Sequence, residues 1–213
     1  MRLMVPALFA TAAVGALAVG YVIARTGFPI ESYNIASSSM APTLVAGDYL
    51  FAAQGYYRSH KPERGDVVLH YKPGSDIVFV KRVIAMPGDR VRLEAGRLYL
   101  NGEVVERRPS EHPVEPDEVQ GARYVETLPN GRFYEIVERA GDEGPLDDFA
   151  EIVVEPDHYF VLGDNRDGSM DSRVPEHGTV PLALIIDKAS FIFLSHDVER
   201  LGRGIQPQTS GAE

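Results

Sequence analysis

The sequence predicts a mostly β protein: an antiparallel, barrel-like or sandwich-like domain that follows one N-terminal transmembrane helix. Residues 3–24 contain no charged side chain and are mostly Leu, Val, Ala, Phe and Ile. The rest of the chain has short segments rich in β-branched and aromatic residues, bounded by Gly, Pro or Asp as strands usually are. Long helical periodicity is absent from these later segments. Short strands joined by frequent turns favour an antiparallel barrel or sandwich.

We predict that residues 1–26 form a retained transmembrane anchor. About 20 apolar residues, at ~1.5 Å rise per residue, span the roughly 30 Å hydrocarbon core of a bilayer. The alternative is a cleavable signal peptide, because A-L-A at 16–18 has the small-x-small pattern of a cleavage site. The apolar run continues beyond that tripeptide and exceeds the usual core of a signal peptide, which favours the anchor. Arg2 and Arg25 flank the run on opposite sides, so charge alone leaves its orientation open.

Later segments with strand composition lie at residues 31–36, 48–53, 66–71, 76–86, 158–162 and 185–194. Two Asn-Gly pairs predict hairpins, because this dipeptide favours the tight turn between antiparallel strands. One hairpin lies within 98–107, and the other joins 123–128 to 133–137. Polar and acidic stretches at 109–120 and 141–148 predict surface loops, and the polar end of the chain predicts a loose tail.

Composition excludes several classes of function. The 31 acidic residues outnumber the 21 lysines and arginines, a net charge of −10, which argues against binding to nucleic acid. The absence of cysteine excludes disulfides, thiolate metal sites and a cysteine nucleophile. None of the six histidines lies in an H-E-x-x-H pattern, and we predict no metal or other cofactor. A Ser-His-Asp triad stays open, since its members need not be close in sequence.

Three segments contain residues that can carry chemistry, and the first is the serine cluster at 37–39. It leaves an extended segment and meets a turn at Pro42. A serine hydroxyl is a poor nucleophile until a base removes its proton. Taken alone, the cluster favours a polar turn whose hydroxyls bind nearby backbone groups.

Lys81 lies inside an apolar β run and is the second candidate. If its side chain points inward, burial disfavours the charged form and lowers its pKa, so that the amine can act as a general base. The alternative is an edge-strand lysine that reaches water. Lys81 and Arg82 point to opposite faces of the strand, so we predict that one of the two faces inward.

The third segment is G-D-N-R-D-G-S-M-D-S-R at 163–173. Asp167, Ser169 and Asp171 alternate like the oxygen ligands of a calcium loop, but the closing Glu is missing and two arginines interrupt the pattern. We therefore favour an ion-paired structural loop.

Together these motifs resemble those of the type I signal peptidases, the bacterial leader peptidases. S-M-A-P-T-L at 39–44 is similar to the nucleophile box of that family, and G-D-Y-L at 47–50 to the box that follows it. V-K-R-V at 80–83 with P-G-D at 87–89 is similar to the lysine box, and 163–173 to the last box. Their order and spacing also agree. Ser38 stands where many members have Gly, and Ala36 where Pro is frequent, so the turn before Ser39 is expected to differ locally.

The resemblance implies a membrane-bound serine endopeptidase that cleaves signal peptides from exported preproteins after small-x-small sites, through an acyl-enzyme. Ser39 would be the nucleophile and Lys81 the general base. The Ser39 N–H and the Ser37 hydroxyl would form the oxyanion hole. Ser169 would hydrogen-bond the Lys81 amine.

The resemblance also implies supporting roles: Asp171 and Arg173 would form an ion pair, and Gly163 would allow close backbone approach near the lysine. Substrate would bind as an extended strand along 33–37 and 78–80. Shallow pockets lined by Tyr33, Ile35, Phe79 and Val80 would then admit only small side chains.

In this family the catalytic β domain carries a smaller inserted β region. The expected division is an anchor at 1–26, a catalytic domain at 27–103 and 155–200, an insertion at 104–154 and a flexible tail at 201–213. The expected partners are signal-peptide-bearing preproteins and membrane lipid, with no nucleic acid. The expected location is the inner (cytoplasmic) membrane, single-pass, with the catalytic domain on the outer or periplasmic side.

Other classes of function stay open. A membrane-anchored β domain that only binds partners would leave Ser39 and Lys81 solvated. A self-cleaving Ser/Lys repressor would need a DNA-binding module, but an apolar segment occupies that place. A peptidase specialised for pilins or conjugation proteins is a narrower version of the same activity.

Overall fold

The computed structural model describes residues 27–72, 74–112 and 119–209. The predicted anchor at 1–26 and the last residues of the tail lie outside this part. Within the described residues, no helix has the length and apolar character needed to cross a membrane. The helices found there are short 3-10 turns, at Tyr56–Arg58, Gly141–Glu143, Arg166–Gly168, Leu182–Leu184 and Val198–Arg200.

The described chain is built from short strands. In chain order they are β1 (Ile30–Asn34), β2 (Tyr49–Gln54), β3 (Val67–Tyr71), β4 (Val78–Ala85), β5 (Arg90–Glu94), β6 (Arg97–Leu100), β7 (Glu103–Val104), β8 (Glu106–Pro109), β9 (Ala122–Thr127), β10 (Arg132–Glu138), β11 (Phe149–Val153), β12 (His158–Leu162), β13 (Val180–Pro181), β14 (Ile185–Leu194) and β15 (Gln208–Thr209). The prediction of a mostly β, antiparallel chain is confirmed for this part of the sequence.

The strands form three antiparallel sheets. The largest has the order β1-β2-β14-β3-β4-β12-β13, and the two smaller ones are β11-β5-β6-β7 and β15-β10-β9-β8. β5 and β11 were not predicted as strands. R-V-R-L-E at β5 does alternate polar and apolar residues, a period-2 signal that could have found it, whereas β11 is half exposed and weakly patterned. The sheet that contains β5 and β11 therefore has strands from both sides of residue 104, the expected start of the insertion.

Both Asn-Gly hairpins are present. Tyr99 pairs with Val104 across the first turn, where Asn101 and Gly102 both have the positive φ that this turn requires. β9 and β10 pair from Thr127 with Phe133 onward across the second turn. The Asn-Gly pairs therefore locate both hairpin turns, and the dihedral angles of the first pair are those of a tight two-residue turn.

β3 is buried on both faces, and this arrangement positions the neighbouring β4. Val67 and Leu69 pack into one apolar cluster with Leu44 and Leu50, whereas Val68 packs into a second cluster. Because side chains alternate across a strand, the central strands of this sheet have protein on each side. Polar side chains on β4 therefore enter the interior whichever face they occupy.

The prediction of a flexible tail is wrong for residues 201–209. β15 pairs with β10, and Ile205 is buried in the cluster that also contains Leu44 and Leu50. The Gln206 amide donates to Val67 O and accepts from Val67 N, so it binds the backbone at the first residue of β3. A single buried isoleucine and one glutamine amide that binds β3 are too weak a signal to be read from composition.

Candidate active site

Ser39 lies in the segment that follows β1, on a turn anchored in the core. Met40 and Leu44 are buried, and Leu44 N–H donates to Met40 O at 2.9 Å. Ile35 is paired with the chain at residues 47–48 through two backbone hydrogen bonds of 2.8 Å. Burial of the apolar residues on this turn leaves Ser39 half-buried, facing a surface groove.

Lys81 reaches Ser39 from β4. Its Nζ lies 2.9 Å from Ser39 Oγ and 3.0 Å from Val80 O, and the residue is only 2% exposed. Burial lowers the pKa of the Lys81 amine to about 8, against the opposing influence of the Asp171 and Asp164 carboxylates. The amine is therefore close to half-neutral near pH 8, whereas an ordinary lysine would be almost fully charged.

Arg82 is buried as well, at 1% exposure, so both basic residues face the interior, where the sequence predicts only one of them. Its guanidinium makes two hydrogen bonds to Asp164, of 2.8 and 2.6 Å, and lies 4.1 Å from the ring centroid of Tyr134 on β10. The second face of β4 is covered by β10, a contact that strand alternation alone does not predict.

Asp164 and Asn165 connect the last motif to the serine turn. The Asn165 backbone N–H donates to Ser39 O at 3.1 Å, and its side-chain amide donates to Ser38 O at 3.0 Å. Asp164 accepts from the Thr43 hydroxyl as well as from Arg82. These residues were not predicted as site residues, although both lie inside the 163–173 motif that the sequence singled out.

Donors for a developing oxyanion lie beside Ser39. The Ser37 and Ser39 hydroxyl oxygens are 3.2 Å apart. Over the described ranges the Ser39 N–H makes no backbone hydrogen bond, so it is free to donate. Both groups that the resemblance implies as oxyanion donors thus belong to one short segment beside the groove.

Gly163 is a point of close packing between Ser39 and Ser169. A Cβ at this position would lie 2.2 Å from Ser169 Oγ and 2.4 Å from Ser39 O, so only glycine fits without movement. The Lys81 amine binds Ser39 Oγ and Val80 O, and the hydrogen bond from Ser169 that the resemblance implies is not formed in the described structure. The buried Ser169 hydroxyl lies near Asp171 and helps to lower its pKa, but by distance and angle it completes no hydrogen bond in the described structure.

Asp171 and Arg173 form a buried two-point ion pair. Nε and Nη2 of Arg173 each lie 2.9 Å from an oxygen of Asp171, which also accepts the Gly163 N–H at 3.0 Å. Burial alone would raise the pKa of Asp171, but the Arg173 guanidinium outweighs it and holds the pKa below the ordinary value. The loop is therefore ion-paired at Asp171, as the sequence favours.

A groove of about 460 Å³ opens beside Ser39 and Lys81. Its walls include Ile35, Phe79 and Val80 among the predicted substrate-binding residues. β12 pairs with β4 only from Arg82 to Ala85, which leaves the edge of β4 at 78–80 without a strand partner in the described chain. An extended peptide can add to this free edge.

Tyr33 does not line this groove, which corrects its predicted place among the pocket residues. It lines a separate cavity, where its hydroxyl donates to Asp187 Oδ2 at 2.5 Å. Desolvation and this carboxylate raise the Tyr33 pKa well above its usual range. The side chain is held against β14, so only the backbone of residue 33 is available to a peptide bound in the groove.

No histidine in the described structure hydrogen-bonds to Ser39, whose side-chain partners are Ser37 and Lys81. His70 and His177 are buried behind Phe79, with ring centroids 6.0 and 5.4 Å from that ring. Desolvation lowers the pKa of His70 to about 3 and also lowers that of His177. Both imidazoles are therefore neutral packing groups in this geometry.

The chain matches a known protein family over most of its length. The family model described as signal peptidase, peptidase S26, matches residues 8–194. The chain belongs to this family. As an S26 signal peptidase it is a serine endopeptidase, and the substrates of its family are preproteins that carry a signal peptide.

Named relatives of this S26 signal peptidase include bacterial enzymes. Signal peptidase I of Rickettsia prowazekii (strain Madrid E) is 33% identical over 193 residues, covering 78% of this chain and 72% of the relative. Signal peptidase I of Rickettsia conorii is 32% identical with the same coverage. A crystal structure of a signal peptidase I from Enterococcus faecalis V583 is 26% identical, covers 59% of this chain and 94% of that one, and has a TM-score of 0.36.

Proposed function

We propose that this signal peptidase cleaves preproteins after small-x-small sites with Ser39 as nucleophile and Lys81 as general base. The observation that carries the proposal is the 2.9 Å contact between Ser39 Oγ and the amine of Lys81, a residue that is only 2% exposed. A desolvated amine holds its proton weakly, so it can accept the proton of the hydroxyl. An imidazole in the same position is not available among the described residues.

In the first step the neutral Lys81 amine takes the proton from Ser39 Oγ as this oxygen attacks the scissile carbonyl. The Ser37 hydroxyl and the Ser39 N–H, the latter free in the described chain, donate to the oxyanion, which develops only in the transition state. The Lys81 ammonium then gives its proton to the leaving amine, and the acyl-enzyme remains on Ser39. Water, deprotonated by the same amine, hydrolyses the ester and restores both residues.

The groove favours small residues before the cleaved bond. A peptide added to the edge of β4 would present alternate side chains to the wall formed by Ile35, Phe79 and Val80. Ser39 lines the same groove as these apolar side chains, so a bulky side chain packed against them would keep the scissile carbonyl away from Ser39. This shared lining supports selection of small-x-small sites.

We also propose that the enzyme is a single-pass protein of the inner membrane with its catalytic domain on the outer or periplasmic side. Support comes from the apolar run at 3–24 and from an exposed apolar surface around Tyr49 and Leu194. Val198, 74% exposed, and Leu201 extend this surface. Exposed apolar side chains of this kind suit contact with lipid.

The proposed activity is tested by incubating the purified full chain in detergent with preproteins that carry Ala-x-Ala or a bulky residue at either small position. We expect cleavage only after Ala-x-Ala, and Ser39→Ala should reduce the rate by ~10³-fold or more because the nucleophile is lost. Ser38→Ala is the matched control, since Ser38 is exposed and next in sequence. Normal cleavage by Ser39→Ala, or equal cleavage of the bulky substrates, would contradict the proposal.

The pH dependence of kcat/KM reports the ionisation of Lys81. Only the neutral amine can accept a proton, so activity should be low in acid, rise through pH 8 and level off above it, following the pKa of about 8. The measurement is kcat/KM for a preprotein from pH 5 to 10, in substrate-limited conditions. A rise centred near pH 6.5, as expected for an imidazole, would indicate a histidine base instead.

A further inference from the structure

Three carboxylates meet away from the catalytic groove. Glu138 ends β10, Asp147 lies in the 141–148 loop, and Asp167 lies in the 3-10 turn before Ser169. Each offers one oxygen, and these oxygens all lie within 4.8 Å of one another. The 141–148 loop was predicted to lie on the surface, yet Asp147 is 2% exposed.

The hydrogen bonds of this carboxylate cluster are incomplete. Asp167 Oδ2 accepts the backbone N–H groups of Arg139 and Ala140 at 2.6 and 2.8 Å, and Asp147 Oδ2 accepts that of Gly144 at 2.5 Å. The other oxygen of each Asp and both oxygens of Glu138 are buried and have no hydrogen-bond partner among the described residues. Buried polar groups are nearly always partnered, so Glu138, at 1% exposure, indicates a missing ligand.

The neighbouring arginines do not neutralise the cluster. Arg107 Nη1 is 3.8 Å from Glu138 Oε1, but the same guanidinium makes two 2.8 Å hydrogen bonds to Asp142. Arg166 also faces Glu138 and opposes the rise of its pKa, but both Nη atoms of Arg166 bind Glu126 and its Nε makes no hydrogen bond to a described residue. The cluster therefore keeps a surplus of negative charge that a cation would balance.

We propose that Glu138, Asp147 and Asp167 bind a hard divalent cation of the calcium class. Calcium takes oxygen ligands at about 2.3–2.6 Å, so two ligands of one ion lie at most about 4.6–5.2 Å apart, and oxygens gathered within 4.8 Å of one another satisfy this limit. A Cβ on Gly144 would lie 2.2 Å from Asp167 Oδ1 and 3.0 Å from Asp147 Oδ2, so glycine keeps this space open. Three carboxylates completed by water suit a weak site, with Kd of ~10⁻⁴–10⁻³ M.

A cation here would join the 141–148 loop to the turn that precedes Ser169. A proton is its competitor, because burial and the two neighbouring aspartates raise the pKa of Glu138 to about 8. Binding is therefore best measured at pH 9, where Glu138 is ionised before the ion arrives.

The experiment is calorimetric titration of the chelator-treated full chain in detergent with CaCl₂ at pH 9, with the melting temperature followed in parallel. We expect one saturable site and a melting temperature that rises with calcium. Glu138→Gln and Asp147→Asn should each weaken binding at least ~10-fold, because each removes one of three charged ligands. Glu143→Gln is the matched control, since Glu143 is exposed in the same loop and loses the same charge.

Absence of saturable calcium binding to the unaltered chain would overturn the proposal, whatever the variants do. Calcium binding that persists unchanged in both Glu138→Gln and Asp147→Asn would overturn it equally, because the ion would lie elsewhere. If Glu138→Gln raises the melting temperature and the unaltered chain shows no calcium binding, the cluster holds a proton and not a cation, and the proposal is overturned. These outcomes do not depend on peptidase activity, so they are independent of the proposed mechanism.

Discussion

Replacing Lys81 by alanine is expected to lower kcat/KM for preprotein cleavage by ~10³-fold or more. The amine that lies 2.9 Å from Ser39 Oγ would be gone, and no histidine in the described chain hydrogen-bonds to that hydroxyl. Lys81→Arg should be similarly inactive, because a guanidinium keeps its proton at every working pH. The measurement is the initial rate of cleavage by the purified full chain, compared at pH 9.

Two controls separate loss of the base from loss of structure. Lys61→Ala removes an exposed lysine and should leave kcat/KM unchanged. The double variant Ser39→Ala with Lys81→Ala should be no slower than Ser39→Ala alone, because the two residues act as one unit. Retention by Lys81→Ala of a rate within about tenfold of normal would refute the Ser39 and Lys81 assignment.

Replacing Asp164 by alanine is expected to lower the free energy of unfolding by about 3–5 kcal/mol. Asp164 and Arg82 are each 1% exposed in their side chains, so the substitution leaves a buried guanidinium without its carboxylate. It also removes the acceptor of the Thr43 hydroxyl on the serine turn. The measurement is urea-induced unfolding of the full chain in detergent.

Glu151→Ala is the matched control for this prediction. Glu151 pairs with Arg90 at the surface, with side-chain exposures of 32% and 62%, so its loss should change the free energy of unfolding by only about 0–1 kcal/mol. If Asp164→Ala and Glu151→Ala destabilise equally, the buried pair does not hold β4 to the 163–173 loop.

Local patterns predicted much of the sheet structure. Runs of β-branched and aromatic residues located the strands that became β1 to β4, and Asn-Gly pairs located both hairpins. These signals act between residues close in sequence, so they can be read without the fold. β11 was not predicted because its sequence, F-A-E-I-V, is half exposed and shows no clear alternation of polar and apolar residues.

Side-chain contacts in the site could not be predicted from local sequence patterns. Ser39 and Lys81 were singled out by motif, but their 2.9 Å contact depends on how β4 lies beside the serine turn. Tyr33 was expected among the pocket residues, yet its hydroxyl binds Asp187 on β14 instead. A partner 154 positions away in the chain cannot be inferred from spacing.

By itself the sequence determined the β class of the chain, its two hairpin turns and the motifs that carry the serine, the lysine and the final loop. Only the tertiary structure decided that both Lys81 and Arg82 are buried, that residues 201–209 pack onto the sheets, and that Glu138, Asp147 and Asp167 converge. The physical reason is that strand and turn preferences are set by neighbours along the chain, whereas desolvation and charge pairing are set by elements that meet from distant parts of it.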